Sequence, residues 1–319
     1  MVIKQYSPQN YSQLLQLSDA PGIVRLDDFI EGFDEEYNNI YLTHISNIVH
    51  NKCVIQYSQF VTDDVKTKYP SLDFVYEYPG KIFDSFINYQ QHPAHDIKHF
   101  VCSFNGAVHV GRKILVAGLH KFRLFNPTTC SKNFLYTQDE IDGHISDYFT
   151  DLEQLLIYQK FFNTDPIFSN TVYTFGHDRF NHSRNIYNLE NQLTTSFLHI
   201  VSETIPTSYC PFVSEKSLYS VVTRGLFLSY AQPQWHAHVE KFYGFKRFSK
   251  IFDYSFDSIV NPVERLVALL TMVSKFKNLS SDDWRDLYLL EQDTIEHNYN
   301  HYFSGQFRKS LIEMQGNEY

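Results

Sequence analysis

The chain has 319 residues, 43% of them hydrophobic and 20% charged, which is typical of a folded protein long enough for two hydrophobic cores. Its formal charge of −9 argues against a protein that coats nucleic acid nonspecifically, because phosphate contacts need a cationic surface. No apolar run approaches the roughly 18 residues of a membrane span, and the first residues lack the apolar core of a signal peptide. We therefore expect a cytoplasmic protein.

The cysteines and histidines do not predict a metal site. Cys53, Cys102, Cys130 and Cys210 lie far apart and form no CxxC pair, so neither a disulfide framework nor a zinc site is expected. The histidines at and near 236–238 and at 120 have no ligand spacing with any partner.

Short apolar strands alternate with helical patterns in the first part of the chain. The predicted elements are strands at 22–26, 53–57 and 74–76 and a helix at 37–50. Strands that alternate with helices favour a parallel sheet. The loop at 90–96, which contains His92, Pro93 and His95, interrupts this pattern, and we place a domain boundary there.

A second series of strands and helices follows this loop. It comprises predicted strands at 99–104, 198–201, 226–230 and 250–252 and helices at 112–122, 151–162, 216–223, 235–243 and 262–276. The tail from Asp282 is also predicted to be helical. The sequence thus predicts an α/β protein with two Rossmann-like halves and C-terminal helices, divided into residues 1–97, 98–285 and 286–319.

The first motif with a chemical meaning is a strand, a turn and a helix start at residues 103–112. Ser103, Asn105 and Gly106 end the strand, and Arg112 stands in the first turn of the next helix. A guanidinium group in this position can clamp a diphosphate with two parallel hydrogen bonds. The alternative interpretation is an ordinary loop with a solvated arginine.

The second motif begins with Glu203 after a predicted strand and continues with Ser214-Glu215-Lys216 at a helix start. Carboxylates accept hydrogen bonds from a ribose diol, as in dinucleotide folds. A lysine beside helix N-terminal amides suits a phosphate and can neutralise charge that grows on a leaving group. The alternative is a surface Glu–Lys pair, where the helix dipole favours the acid.

Taken together, the two motifs resemble the donor-binding domain of fucosyltransferase-like glycosyltransferases of GT-B architecture, over roughly half the chain. That family has a strand ending in Ser-Asn followed by an arginine, then a Phe-Glu-Asn-Ser strand end and a Tyr-Val-Thr-Glu-Lys helix start. Residues 103–112, 202–204 and 212–216 are similar to these segments at matching spacing. Residues 225–230, 243–246 and 253–257 look like further segments of the family, the last two of its viral and bacterial members.

The resemblance implies two Rossmann-like domains with a cleft between them and C-terminal helices that pack across the seam. It implies that Arg112 and Lys216 contact a diphosphate and that Glu215, together with Glu203, holds the ribose. The donor-binding set that it implies is Asn105, Arg112, Glu203, Phe212, Ser214, Glu215 and Lys216. Thr204 and Phe212 depart from the family's Asn and Tyr, so the nucleotide and the sugar stay open.

Metal-dependent glycosyltransferases usually carry an Asp-x-Asp pair, because two such carboxylates chelate the cation on the diphosphate. The sequence has no such pair, which predicts a metal-independent reaction without a cofactor. A general base from the first domain is needed to activate the acceptor hydroxyl, and Asp28, just after a predicted strand, is the candidate. The other candidate acids and bases are Asp27, Glu31, Glu77, His92, His95 and Asp96.

The sequence therefore predicts a metal-independent glycosyltransferase, a hexosyl- or pentosyltransferase, that uses a nucleoside-diphosphate sugar. The expected acceptor is a hydroxyl of a glycan or of a hydroxymethylated pyrimidine in phage DNA, the latter in the host cytoplasm if the protein is phage-encoded. The alternative is a noncatalytic nucleotide-binding or structural protein that keeps the fold. The basic segment 176–184 is interpreted as a solvated connection or as part of a substrate entrance.

Overall fold

The structure of the protein, a computed structural model, describes most of the second half of the chain and shorter parts of the first. The described residues are 3–6, 13–16, 22–26, 42–47, 51–57, 63–76, 80–89, 94–106, 110–132, 175, 182–203, 213–309 and 312. None of the described helices is long and apolar enough to cross a membrane.

The first sheet is parallel and has four strands in chain order. They are β1 (Ile3–Tyr6), β2 (Gly22–Leu26), β3 (Asn51–Tyr57) and β4 (Leu72–Tyr76). Val24 lies opposite Cys53, and Cys53 lies opposite Leu72, so the strands run side by side in register. Parallel neighbours need crossover connections, and helical residues 42–46 and helix α1 (Asp63–Lys68) lie in two of these connections.

The second sheet is also parallel, and two of its four strands are buried on both faces. Its members are β5 (His99–Asn105), β6 (Cys130–Lys132), β7 (Ser196–Ser202) and β8 (Leu226–Tyr230), in the order β6-β5-β7-β8. Every residue of β7 and β8 is buried, which explains why both read as continuous apolar runs rather than as alternating ones.

Helices surround this second sheet. They are α3 (Val110–Lys121), α4 (His182–Thr195), α5 (Glu215–Val222), α6 (Trp235–His238), α7 (Pro262–Ser274), α8 (Ser281–Leu290) and α9 (Gln292–Phe303). A π-helical turn, Val239–Tyr243, continues α6, and a short 3-10 helix spans Ser255–Ser258. Pro262 opens α7, where its missing N–H and fixed φ are favourable.

A short helix, α2 (Gly80–Phe83), and the turns after it follow the first sheet and pack against helices of the second. The Phe86 ring meets the Tyr219 ring of α5 at 5.1 Å, and the Tyr89 hydroxyl donates a 2.7 Å hydrogen bond to Glu190 of α4. Residues 80–89 therefore lie against the same helix that carries Glu215 and Lys216.

The predicted α/β class with parallel strands is confirmed, and two local predictions are wrong. Residues 250–252 form a turn rather than a strand, because the N–H of Phe252 bonds back to the carbonyl of Phe248 and that of Lys250 to Glu291. Within the predicted loop 176–184, His182 already begins helix α4, which an apolar stripe through buried Ile186, Leu189 and Leu193 holds on the sheet. The helix predicted at 151–162 lies outside the described residues.

Candidate functional site

The candidate site lies where the strand order of the second sheet changes direction. From β5 the chain passes to β6 on one side of it, and later returns to β7 on its other side. In open α/β sheets ligands bind outside the carboxyl ends of the strands at such a switch point. Asn105 ends β5 and Glu203 follows β7, while α3 and α5 are the helices that follow these two strands.

Glu203 is completely buried and ties the end of β7 to the start of α5. Its Oε2 accepts the N–H of Ser214 at 3.1 Å, and its Oε1 accepts the hydroxyl of Ser217 at 2.6 Å. Its own N–H donates to the carbonyl of Tyr230 on β8 at 3.0 Å. Burial raises the pKa of Glu203, and the Ser217 hydrogen bond and the nearby Lys216 ammonium oppose that rise.

Ser214 is the residue that starts α5. Its backbone is extended, with φ −87° and ψ 170°, and its hydroxyl accepts the N–H of Lys216 at 3.3 Å. This is the side-chain cap that serine provides at helix N-termini. Glu215 in the first turn further favours the helix start through the helix dipole.

Lys216 projects from this first turn and pairs with the neighbouring Glu215. The Nζ–Oε1 distance is 2.6 Å, and the two side chains are 13% and 17% exposed, so the pair keeps limited access to solvent. Burial lowers the pKa of Lys216, the positive charge of Arg112 lowers it further, and Glu215 opposes both effects. Lys216 is thus a cation held in a poorly hydrated place beside a second cation.

Arg112 supplies that second cation from the first turn of α3. Arg112 is only 4% exposed. Helix α3 follows β5, whereas α5 follows β7, so the two cations come from different strand–helix units. The positive charge of Arg112 is one of the causes that lower the pKa of Lys216, so the two cations interact electrostatically at this edge of the sheet. Two buried cations from two helix N-termini, with Glu215 as a direct partner of one of them, make a site that favours a multiply charged anion.

Asn105 adds a neutral polar group at the same edge of the sheet. It is completely buried, its Nδ2 donates to Ser103 Oγ at 3.1 Å and to the Ser131 carbonyl at 3.4 Å, and it lies in register with Lys132. Its Oδ1 accepts no hydrogen bond from any residue that the structure describes. A ligand with an N–H or O–H donor would satisfy this oxygen.

The structure connects four of the predicted site residues by hydrogen bonds or an ion pair, namely Glu203, Ser214, Glu215 and Lys216. Arg112 and Asn105 lie on the same edge of the sheet. Asp28, Phe212 and Thr204 lie outside the described residues. Over the described ranges, no group of three His, Cys, Asp or Glu side chains could hold a metal ion.

Sequence reasoning missed Ser217 and Ser229, which complete the surroundings of Glu203. Ser217 lies three residues after the cap Ser214, a spacing that places both on one side of the helix start and could have indicated a second hydroxyl there. Ser229 lies on β8, and its Oγ is 3.2 Å from that of Ser217. This contact depends on the pairing of α5 with β8, which the local sequence does not show.

A buried His–Asp pair lies directly behind Ser229. His236 Nδ1 is 2.8 Å from Asp257 Oδ1, and its Nε2 accepts the N–H of Ser229 at 3.0 Å. Both ring nitrogens are therefore used within the protein, so His236 holds β8 against the 253–257 segment.

No protein-family model matches the chain, and no curated protein or solved structure matches it significantly. The family resemblance of the two motifs therefore stays a prediction. The chemistry of the site has to be inferred from its own side chains.

Proposed function

We propose that the protein is a glycosyltransferase that binds a nucleoside-diphosphate sugar at the β5–β7 crevice and transfers the sugar to an acceptor hydroxyl. The observation that supports this most is the placement of two poorly exposed cations, Arg112 and Lys216, in the first turns of α3 and α5, the helices that follow the adjacent strands β5 and β7. A diphosphate is the anion that suits two cations and two helix N-termini at a sheet switch point.

In the proposed reaction the acceptor oxygen attacks the anomeric carbon as the bond from that carbon to the diphosphate oxygen breaks. The diphosphate leaves with the bonding electrons, and the acceptor proton passes to a base. Arg112 and Lys216 stabilise the charge that grows on the leaving oxygen. Asp28, outside the described residues, is the proposed base.

The acids of the site have different proposed tasks. Glu215 is partly exposed and able to accept hydrogen bonds from the ribose hydroxyls. Glu203 has both carboxylate oxygens bonded within the protein, so it holds Ser214 and Ser217 at the start of α5 in place. The missing Asp-x-Asp pair supports a metal-independent reaction, in which cationic side chains balance the diphosphate.

The proposed acceptor is a glycan hydroxyl or a hydroxymethylated pyrimidine of phage DNA. The formal charge of −9 restricts DNA contact to a local groove rather than the whole surface.

Calorimetric titration with a panel of nucleoside diphosphates tests the binding step. We expect Arg112→Ala and Lys216→Ala each to weaken binding by about 2–4 kcal/mol, the scale of a lost charge contact in a buried site. That corresponds to roughly 30- to 1,000-fold in Kd. Lys246→Ala, at an exposed lysine, is the matched control and should bind as the wild type does. Wild-type protein that binds none of these diphosphates would contradict the proposal.

Turnover separates a transferase from a noncatalytic nucleotide-binding protein. We expect release of nucleoside diphosphate from a nucleotide sugar to depend on an acceptor, compared between glycans and hydroxymethylated DNA. Lys216-dependent binding without any release would favour the noncatalytic alternative.

A further inference from the structure

A chain of three buried side chains runs from the candidate site into the sheet. Glu203 Oε1 lies 2.6 Å from Ser217 Oγ, and Ser217 Oγ lies 3.2 Å from Ser229 Oγ. All three residues are at most 2% exposed, so no bulk water competes for these bonds. The carboxyl group at the head of this chain also receives the N–H of Ser214, the residue that starts α5.

This chain can satisfy two protonation states of Glu203. When the carboxylate is ionised, Ser217 donates its hydroxyl proton to Oε1. When Oε1 carries a proton, it donates to Ser217 Oγ, and Ser217 turns its own proton to Ser229 Oγ, since either serine oxygen can be the donor of that bond. The Ser214 N–H bond to Oε2 persists in both states, and each of the three side chains keeps at least one hydrogen-bond partner within the chain. In the protonated state the hydroxyl proton of Ser229 turns away from Ser217.

The charged groups that act on Glu203 lie on α5. They are Lys216, which favours the ionised form, and Glu215, which disfavours it. Arg112 on α3 acts on Lys216. β8 is connected to Glu203 through the Tyr230 carbonyl, which accepts its N–H, and through Ser229, which bonds to Ser217; β7 contributes the Ser202 hydroxyl, which donates to the Glu203 carbonyl. None of these groups titrates near neutral pH.

We propose that Glu203 is a positioning residue of the anion site, which holds the Ser214–Ser217 turn in place and takes up a proton when an anion binds beside Lys216. This inference rests on the anion site of the proposed function. Binding places new negative charge close to a buried carboxylate, and the ammonium group that stabilises its ionised form, Lys216, becomes shared with the ligand. A proton from solvent removes the repulsion, and the Ser217–Ser229 pair accepts the new O–H without a change in the turn.

The direction of the pH dependence follows from like-charge repulsion. Burial already raises the pKa of Glu203, and a bound anion raises it further. Between the two values, binding is coupled to proton uptake, so affinity increases as the pH falls through that interval. Since Lys216 has a lowered pKa, its deprotonation weakens binding separately at alkaline pH.

Inorganic sulfate is the probe, because it stays a dianion near neutral pH and contributes no proton of its own. Titration calorimetry in buffers of different ionisation enthalpy measures the protons taken up. We expect up to about one proton per sulfate bound at the site, and affinity that rises by up to about tenfold per pH unit of acidification. Glu203→Gln should abolish the uptake, whereas Glu215→Gln, the matched control, should retain it.

Ser229→Ala gives a second test that leaves the Glu203 side chain unchanged. It removes the final acceptor of the chain but keeps the backbone N–H that bonds to His236, so we expect proton uptake to fall while sulfate still binds. Infrared difference spectra should show a protonated carboxylic acid on sulfate addition in the wild type and in Glu215→Gln alike. A signal that Glu215→Gln removes would contradict the assignment to Glu203, even if Glu203→Gln does not fold.

The outcomes separate this inference from the proposed function. No sulfate binding that Lys216→Ala weakens would overturn the anion site and the inference together. Lys216-dependent binding with the same proton uptake in wild type and Glu203→Gln would overturn the inference alone, as would uptake that disappears only in Glu215→Gln.

Discussion

At the residue scale, Asp257 is a buried carboxylate that accepts several hydrogen bonds. Its oxygens accept from the His236 ring and from the backbone N–H groups of His236 and Ala237, at 2.8, 3.1 and 3.3 Å. Burial on its own raises the pKa of Asp257, but the His236 contacts outweigh it and hold the pKa below the ordinary 3.8. The ionised form is therefore preferred in the folded protein.

Asp257→Asn should destabilise the fold by about 1.5–3 kcal/mol at neutral pH, since it replaces the charged acceptor of these bonds. A carboxyl group with a lowered folded-state pKa stabilises the protein above its unfolded pKa and loses that effect as the pH falls through the folded value. The difference from wild type in urea unfolding should thus be complete above pH 3.8 and shrink below it. A difference that stays constant down to about pH 2 would contradict this account.

At the element scale, the sequence predicts β7 and β8 well because they are buried on both faces, whereas it misses the three-residue strand β6. The predicted strand 198–201 is the middle of Ser196–Ser202, and 226–230 is identical to β8. The predicted strand at 250–252 is wrong because two adjacent apolar residues, Ile251 and Phe252, are no evidence of a sheet partner. There the N–H of Lys250 bonds at 2.6 Å to Glu291, forty-one residues away, which no local pattern shows.

The position of the candidate site was predictable from the sequence, but the contacts within it were not. Helix starts and strand ends place Arg112, Glu215 and Lys216 at one edge of a parallel sheet, so their proximity follows from topology. The burial of Glu203 does not follow, because it depends on which hydroxyl groups of α5 and β8 face it. Sequence therefore locates the charges of the site, whereas the assignment of contacts requires the packed elements.

The close approach of β7 and β8 gives an element-scale prediction at Gly225. A Cβ there would overlap with the His199 ring at Cε1, and this ring is fixed by hydrogen bonds to the Ser220 hydroxyl and to the Leu193 carbonyl. Gly225→Ala should therefore destabilise the protein by about 1–3 kcal/mol through overpacking. Chemical unfolding measures this.

A double-mutant cycle identifies the cause of that destabilisation. In a His199→Ala background the ring is absent, so Gly225→Ala should cost much less than it does alone. Equal costs in both backgrounds would show that the His199 contact is not responsible.

At the scale of the whole molecule, helix α9 and the residues that follow it, 304–309, are connected to the segment after the first sheet. The Tyr302 hydroxyl donates to the Phe83 carbonyl, and Arg308 Nε lies 2.6 Å from Asp84. The Phe83 and Phe307 rings meet at 5.1 Å in the same cluster. Residues 80–89 thus contact α9 and, through Phe86, the site helix α5, so these contacts join remote parts of the sequence.

Tyr302 is completely buried at the centre of these contacts, so Tyr302→Ala should remove about 3–5 kcal/mol of stability. Because its contacts are made by α9 and residues 80–89, we expect amide hydrogen exchange to accelerate most at 80–89 and 292–303, and least in β7. Leu289→Ala, at a leucine that is 56% exposed on the neighbouring helix, should change stability by less than about 0.5 kcal/mol. Exchange that accelerates equally in β7 and at 80–89 would show that Tyr302 stabilises the whole molecule cooperatively rather than this connection. Faster exchange confined to α9 would show that residues 80–89 are held mainly by Phe86 and Tyr89, through α5 and α4.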